Sequence, residues 1–418
     1  MRLLGQSVAI LGAGLAGLRC ASILLKAGCD VQVYERADRI GGRMMTDQVN
    51  GFLIDHGFHV MQSGYPTSQR AFDFESLGAQ AFEPGAVVVQ KRKNKTKFWR
   101  LADPFRRPIQ GFLGGLSGFA SPFDLLRVAR MRQSVRRGKT DRVFTGGNNT
   151  TGHYLRQRGF SKSMIDRFFY PLFSGIFLEN ELRTNERMFR FVFRMMSEGD
   201  MILPRDGIAA APRHLADTIG DERIHLNTKV EVISEQKLLI SGQEKEFAAV
   251  IHAYNPNRHE SKRHVWTLHF DAPHSPLKSK HIVLNGDVKL RNQLIAHVAV
   301  PSDIQPSYAP SGRSLVTVTI VGETAQELGL ISAAEIQDVA VKELRSWFGS
   351  EVDEWQHLVT QHIEHALPEV GAEVALTGQP SNANQRFECG DHTVHGSVEG
   401  ALLSAEQVSK KVLQSFHV

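Results

Sequence analysis

The sequence predicts an α/β protein in two parts: a parallel sheet assembled from separated stretches of chain, and an α+β unit with a mostly antiparallel sheet and a helical insertion. Three observations carry this. From Ser7 to Glu35 an apolar run, a glycine-rich turn, an amphipathic helix and a second apolar run follow one another directly. Near the C-terminus a Gly-Asp pair leads into a capped helix. Between these ends lie several β-branched runs separated by turn residues, and two Phe-rich helical stretches. At 418 residues the chain is also long for a single core.

The elements follow in order. Val8 to Leu11 is continuously apolar, as a strand buried on both faces of a parallel sheet requires. Gly12-Ala13-Gly14-Leu15-Ala16-Gly17 places G-x-G-x-x-G at its end. Gly12 permits a tight turn, Gly14 lets backbone approach a pyrophosphate, and Gly17 lets helix and strand pack closely. The helix carries Leu18, Ala21 and Leu25 on one stripe and stops at Gly28. Its N-terminus offers unpaired N–H groups to phosphate. Val31 to Tyr34 makes the second strand, and Glu35 follows about 20 residues after the glycines, where a carboxylate accepts hydrogen bonds from ribose hydroxyls. The motif predicts a dinucleotide but does not choose between NAD and FAD.

The next stretch, "YERADRIGGRMMT" (Tyr34 to Thr46), makes that choice. Its pattern Arg39-x-Gly41-Gly42-Arg43-x-x-Thr46 resembles the segment after the βαβ unit in the FAD-dependent amine oxidase and phytoene (carotenoid) desaturase-like superfamily. The resemblance implies that the two glycines run along a flavin diphosphate and that Arg43 lies beside it. An Arg fork answers two phosphate charges where one helix dipole does not suffice. Ala16 and Arg36, inside the two matching segments, are implied neighbours of the cofactor. At the other end, "CGDHTVHGSVEGALLSAEQVSKKVL" resembles the family's C-terminal flavin segment. Gly390 and Asp391 are then implied at the ribityl and diphosphate region, with Ser397 as N-cap and Val398 opening a helix whose N-terminus points at the flavin ring. "RIHLNTKVEVI" (Arg223 to Ile233) reads as two short strands, and Val230 is the implied backbone contact to adenine. The fold expected is therefore a discontinuous Rossmann-like FAD-binding domain (1–60, 204–260 and 376–418) plus an α+β substrate domain (61–203 and 261–375).

The substrate domain is read from pattern alone. Val265 to Phe270, Ile282 to Asn285, Leu294 to Val300 and Ser314 to Val321 predict an antiparallel sheet. "TNERMFRFVFRMMSEG", with Thr184 as N-cap, and Ser161 to Phe177 predict apolar helices. The aromatic set of 24 Phe against 6 Tyr and 4 Trp leans towards an apolar small-molecule substrate.

Charge is uneven. From Lys91 to Lys139 there are 14 Lys and Arg against Asp103 and Asp124, a local net of +12 within a chain total of +5. This segment holds the uncharged "PIQGFLGGLSGFASPF" and a helix expected to start at Ser121-Pro122, with Arg127, Arg130, Arg132, Arg136 and Arg137. Two explanations stand side by side: an interfacial patch on an anionic membrane, or a solvated basic face. No nucleic-acid module is evident. Cys20, Cys29 and Cys389 show no metal or redox spacing, so a reducing compartment and buried thiols are expected. The start of the chain lacks a signal-peptide layout and no run of about 20 apolar residues exists, so the expected location is cytoplasmic, with a peripheral membrane contact left open.

With no second nucleotide motif and no C-x-x-C, the simplest scheme is hydride or electron abstraction from a substrate carbon by non-covalent FAD, reoxidised by oxygen or a quinone. The resemblance also admits a flavin amine oxidase, or a flavin-binding protein with a regulatory or assembly role. Amine oxidases carry an aromatic ring just before the last helix; here that neighbourhood is His395-Gly396-Ser397-Val398, which favours a desaturase- or porphyrinogen-oxidase-like role. Catalytic residues are unknown, with His56, His59 and Arg205 as candidates for polar groups near the ring. No metal site is expected.

Overall fold

A computed structural model describes residues 5–92, 95–103, 106, 118–261, 263–291, 293–368 and 387–416. Phe112 and Leu113, the apolar part expected of the basic segment, and residues 376–386 of the third flavin stretch lie outside the described residues.

A five-stranded sheet runs in the order Ile224–His225, Asp30–Tyr34, Ser7–Leu11, Ala249–His252, Phe387–Glu388. All its pairings are parallel, so three separated stretches of chain meet at one edge of strand ends, as expected. The helices Leu15–Lys26, Ala210–Asp217 and Val398–Ser415 share one core cluster with this sheet. Met61, Ala71, Phe72 and Leu77 lie in the same cluster, so the chain just beyond residue 60 also packs on the flavin side. The expected single return of "RIHLNTKVEVI" to the parallel sheet is only half observed. Ile224–His225 joins it, while Val230–Val232 belongs to a separate sheet with Lys237–Ile240 and Gln243–Glu246. Asn227 at φ +51 turns the chain between them, which a propensity scan does not locate.

The second sheet has seven strands in the order Gln356–Ile363, Val265–Ala272, Ser314–Val321, His297–Ala299, Val283–Asn285, Gly85–Arg92, Lys95–Ala102. Only Val283–Asn285 against Gly85–Arg92 is parallel; the rest is antiparallel. The helix Ala333–Phe348 covers one face, opened by a capping box of Ser332 and Glu335. A Phe-rich cluster of helices and turns, with Phe169, Phe173, Phe189 and Phe191 at its centre, packs against the other. The N-cap of the helix Glu186–Glu198 is Asn185, whose side chain accepts from the Arg187 N–H; the expected cap, Thr184, is one residue early. No helix among the described residues is long and apolar enough to cross a membrane.

Candidate active site

The glycine-rich turn is built as its residues require. Gly12 sits at φ +112, and a Cβ on Gly17 would fall 2.0 Å from the Gly12 carbonyl oxygen, so helix and strand pack closely only without that side chain. Gly14 differs: a Cβ there would meet nothing within 4 Å. Gly14 is also the N-cap of the first helix, which no side chain caps. Ala16 is buried in that helix's first turn. An open space beside Gly14, at a bare helix N-terminus, is the cradle that a diphosphate fills.

The second glycine pair is fastened to the first motif. The Gly41 N–H donates to the Ala13 carbonyl at 2.9 Å, and Gly41 and Gly42 adopt φ of +108 and +62. A Cβ on Gly42 would stand 3.4 Å from the Gly14 Cα, so the two backbones line one slot. Glu35 closes its far end, accepting from the Ala13 N–H at 2.8 Å and the Ala37 N–H at 2.9 Å. Thr228 N–H bonds the Glu35 carbonyl at 2.8 Å, which brings the strand of Val230 beside it. Arg36 is exposed at the same rim.

Arg43 ties the two ends of the chain together. Its Nη2 lies 2.6 Å from Asp391 Oδ1, and its Nη1 donates to the Ala366 carbonyl at 2.8 Å. Asp391 is nearly buried while Arg43 is 43% exposed, and the carboxylate raises the guanidinium pKa further above its usual value. Gly390, at φ +147, donates its N–H to Ser404 Oγ at 2.9 Å, which sets Asp391 on the last helix. Ser397 caps that helix by accepting from the Gly400 N–H, and Val398 packs half-buried on the flavin-side core. Cys389 lies 3.6 Å from Cys20, both thiols free and buried between the first and last helices.

The histidine candidates separate. His59 neighbours Arg43, and burial, then that charge, push its pKa down to about 4, so it is a neutral group beside the slot. His56 instead bonds Asp47 at 2.6 Å, and Asp47 is shared with Arg39. Arg205 is not at the slot. It is exposed, forms no ion pair with Asp206, and folds over Gly78, where a Cβ would lie 2.6 Å from its Nη2. An adjacent acid in sequence misleads here because the turn points the two side chains apart.

Every interface of segments meets at Asp55, which sequence reasoning missed. It accepts from Thr46 Oγ1 at 2.6 Å, from the Ile208 N–H at 3.0 Å and from Tyr308 Oη at 2.8 Å. Burial raises its pKa to about 6 despite these donors. His395 is buried between Phe144 and Phe191, with ring centroids 5.7 and 4.9 Å away. Its Nδ1 meets Ser397 Oγ at 2.9 Å while its Nε2 has no partner, and burial lowers its pKa to about 4.

The model of flavin-containing amine oxidoreductases matches residues 15–413, which takes in every part of this slot except the first strand and its turn. The chain belongs to the flavin-containing amine oxidoreductase family. It is 25% identical to protoporphyrinogen oxidase 2 of Arabidopsis thaliana over 171 residues, which are 41% of this chain and 32% of that protein. It is 42% identical to the 15-cis-phytoene desaturase of Synechococcus elongatus over 66 residues, 16% of this chain and 14% of the relative. These matches thus span about a third of the relatives' length or less. Cyclohexylamine oxidase from Brevibacterium oxydans superimposes with a TM-score of 0.72 over 99% of this chain and 100% of that one, at 15% identity, a likeness of fold. Membership in the flavin-containing amine oxidoreductase family agrees with the residues present: the open space at Gly14, the glycine slot and the Arg43–Asp391 pair suit a dinucleotide diphosphate. Among the described residues no cluster of His, Cys, Asp or Glu could hold a metal.

Proposed function

We propose that this protein is an FAD-dependent oxidoreductase that removes hydride or electrons from a carbon of a largely apolar small molecule, in the manner of the desaturases and porphyrinogen oxidases among its relatives. The observation that supports it most is the slot formed where Gly14, Gly42, Arg43 and Asp391 converge from opposite ends of the chain. FAD supplies the hydride or electron acceptor when bound, and oxygen or a quinone restores it. Glu35 and the Gly14 turn hold the nucleotide end, and Arg43 binds phosphate while Asp391 orients it. The N-terminus of Val398–Ser415 places positive potential at the ring end. His59 and His395, kept neutral by burial, neither repel nor add charge there. Cys389 faces Cys20 in the core, which favours non-covalent FAD. The purified protein is expected to be yellow and to release intact FAD on denaturation. Release of FMN alone, or flavin retained on the precipitate, overturns this proposal.

A peripheral membrane contact is a second proposal with its own observation. On the helix Pro122–Arg136 the exposed stripe starts with Phe123 (71% exposed) and Leu126 (47%) and continues through Arg130 towards Arg137. Apolar tips followed by arginines suit an anionic lipid surface. Arg132, counted with this patch on sequence grounds, is instead buried, bonding Asp103 and the Ser197 carbonyl.

A further inference from the structure

The seven-stranded sheet has two unlike faces. Trp266, Leu268 and Phe270 stand opposite Ile320, Val318 and Val316, and with Val298 they pack on the helix Ala333–Phe348 as a wholly apolar layer. Residues one step along these strands point the other way. On that face Thr267 stands opposite Thr319 on one side and Gln361 on the other, Thr319 opposite His297, and His269 opposite Thr317. Cross-strand partners share a face, so these six side chains form one strip. All but Gln361 are buried.

The strip is under-satisfied. Thr267 Oγ1, Thr319 Oγ1, His297 Nδ1 and His269 Nε2 have no hydrogen-bond partner, although His269 Nδ1 reaches Thr317 Oγ1 at 3.2 Å. Buried polar atoms are ordinarily paired, and four orphans side by side are costly unless something outside the chain pairs them. Neither apolar cluster on this face claims the strip. Leu284 and Val88 bound it on the side of the Phe-rich helices, and Leu315 on the flavin side. The strip also reaches the flavin slot. Gln361 Oε1 accepts from the Gly57 N–H at 3.1 Å, the Phe58 ring lies 5.6 Å from that of His297, and His59 neighbours Arg43.

We infer that this strip is the wall against which the substrate is held, and that the substrate carries a neutral oxygen function, hydroxyl or carbonyl, on an apolar body. The inference deepens, and rests on, the proposed oxidoreductase activity. Threonine hydroxyls donate and accept, and a neutral imidazole nitrogen does either according to tautomer, so the strip matches a hydroxyl or carbonyl. It does not match an ion. The charged residue of these strands on this face is Asp271, at the strand end and bonded to Arg313 at 2.6 Å. An ammonium therefore finds no free carboxylate on the strip and a carboxylate finds no cation, while a bare hydrocarbon leaves the orphans unpaired. His269 and His297, each held by burial at a pKa of about 4, stay neutral at physiological pH.

The test uses the FAD-loaded protein, with flavin content measured first so that failure of the oxidoreductase proposal is seen separately. Cyclohexanol, cyclohexylamine and methylcyclohexane share one ring and differ in the polar group; their binding is followed by thermal shift, which needs no turnover. Cyclohexanol is expected to bind roughly tenfold or more tighter than either of the others. The isosteric pair Thr267→Val and Thr319→Val should remove that preference with flavin content unchanged, and Thr267→Ser, which keeps the hydroxyl, should retain it. If the double variant does not fold, Thr319→Val alone should still lower the preference. Equal binding of the three compounds, no binding of any, or tighter binding of cyclohexylamine overturns the inference. So does a cyclohexanol preference that survives both valines, since the strip then holds only ordered water.

Discussion

The ends of the parallel strands and the inner face of the seven-stranded sheet do their work by different means. At the parallel strand ends the binding groups are backbone: Gly14 is bare, Gly41 and Gly42 turn where other residues are strained, and only Glu35, Arg43 and Asp391 add side chains. On the seven-stranded sheet the groups are side chains at cross-strand positions, Thr267, Thr319 and His297, drawn from strands far apart in the chain. Backbone devices demand glycine at fixed spacing and leave a compact trace in the sequence. A side-chain wall demands register, which leaves none that is local.

The contrast is sharpest within the first motif itself. Gly17→Val should have the largest effect, above about 4 kcal/mol, because its Cβ alone would sit 2.0 Å from the Gly12 carbonyl oxygen. Loss of soluble protein is the expected readout. Gly14→Ala has room for its Cβ, so it should leave Tm nearly unchanged and lower flavin content. If both variants lose stability alike, the distinction between packing glycine and ligand glycine fails.

Acid titration separates the two regions next. His297 is depressed from 6.5 to about 4, so the unfolded chain binds the extra proton between those values and stability falls as pH drops through that window. His269 acts in the same direction. The depression bounds the loss at about 3 kcal/mol per histidine. Asp55, raised to about 6, works oppositely, because its folded form holds a proton that the unfolded chain has released. His297→Gln should therefore flatten the acid limb of a urea-denaturation series and Asp55→Asn should steepen it. Unchanged slopes in both would mean that these groups are not buried in solution.

Arg43→Ala should weaken FAD binding by about 1.5–3 kcal/mol, roughly 10- to 100-fold, as expected for loss of a charge-assisted contact. Arg127→Ala, beside Asp124 on a surface helix, should change it little. Equal affinities in the two variants would remove Arg43 from the phosphate site. The smallest effect belongs to the basic helix. Arg130→Glu with Arg137→Glu should reduce sedimentation with anionic vesicles by about 1 kcal/mol per arginine, and the residual binding should fall further in Phe123→Ser. Wild-type protein that ignores such vesicles at low salt would mark the helix as a solvated face.

Much of the first region could be read in advance. Each glycine, Glu35 and Asp391 stand near the strand ends and helix starts that the local pattern placed. The caps Ser121 and Ser397 were also legible, because an N-cap bond spans only a few residues. Arg43 was legible as a cation near phosphate, but its bond to Asp391 was not, since 348 positions separate the two. Asp55 left one faint trace, an acid inside an apolar strand. Thr267 and His269, like Thr317 and Thr319, left another in their alternation with apolar residues. That alternation ordinarily predicts a solvated face, and here both faces are buried.

The sequence by itself determined the parallel α/β half, the dinucleotide turn and the two ends of the chain that close on it, because those features are short-range and obey the sterics of glycine and the hydrogen-bonding needs of helix termini. Tertiary structure alone decided which side chains meet. Arg205 was turned outward over Gly78, Arg132 was taken inside to Asp103, and the threonines and histidines of distant strands were aligned beside the flavin slot. Strand register and helix packing settle those encounters, and both depend on the burial of whole faces rather than on any local run of residues.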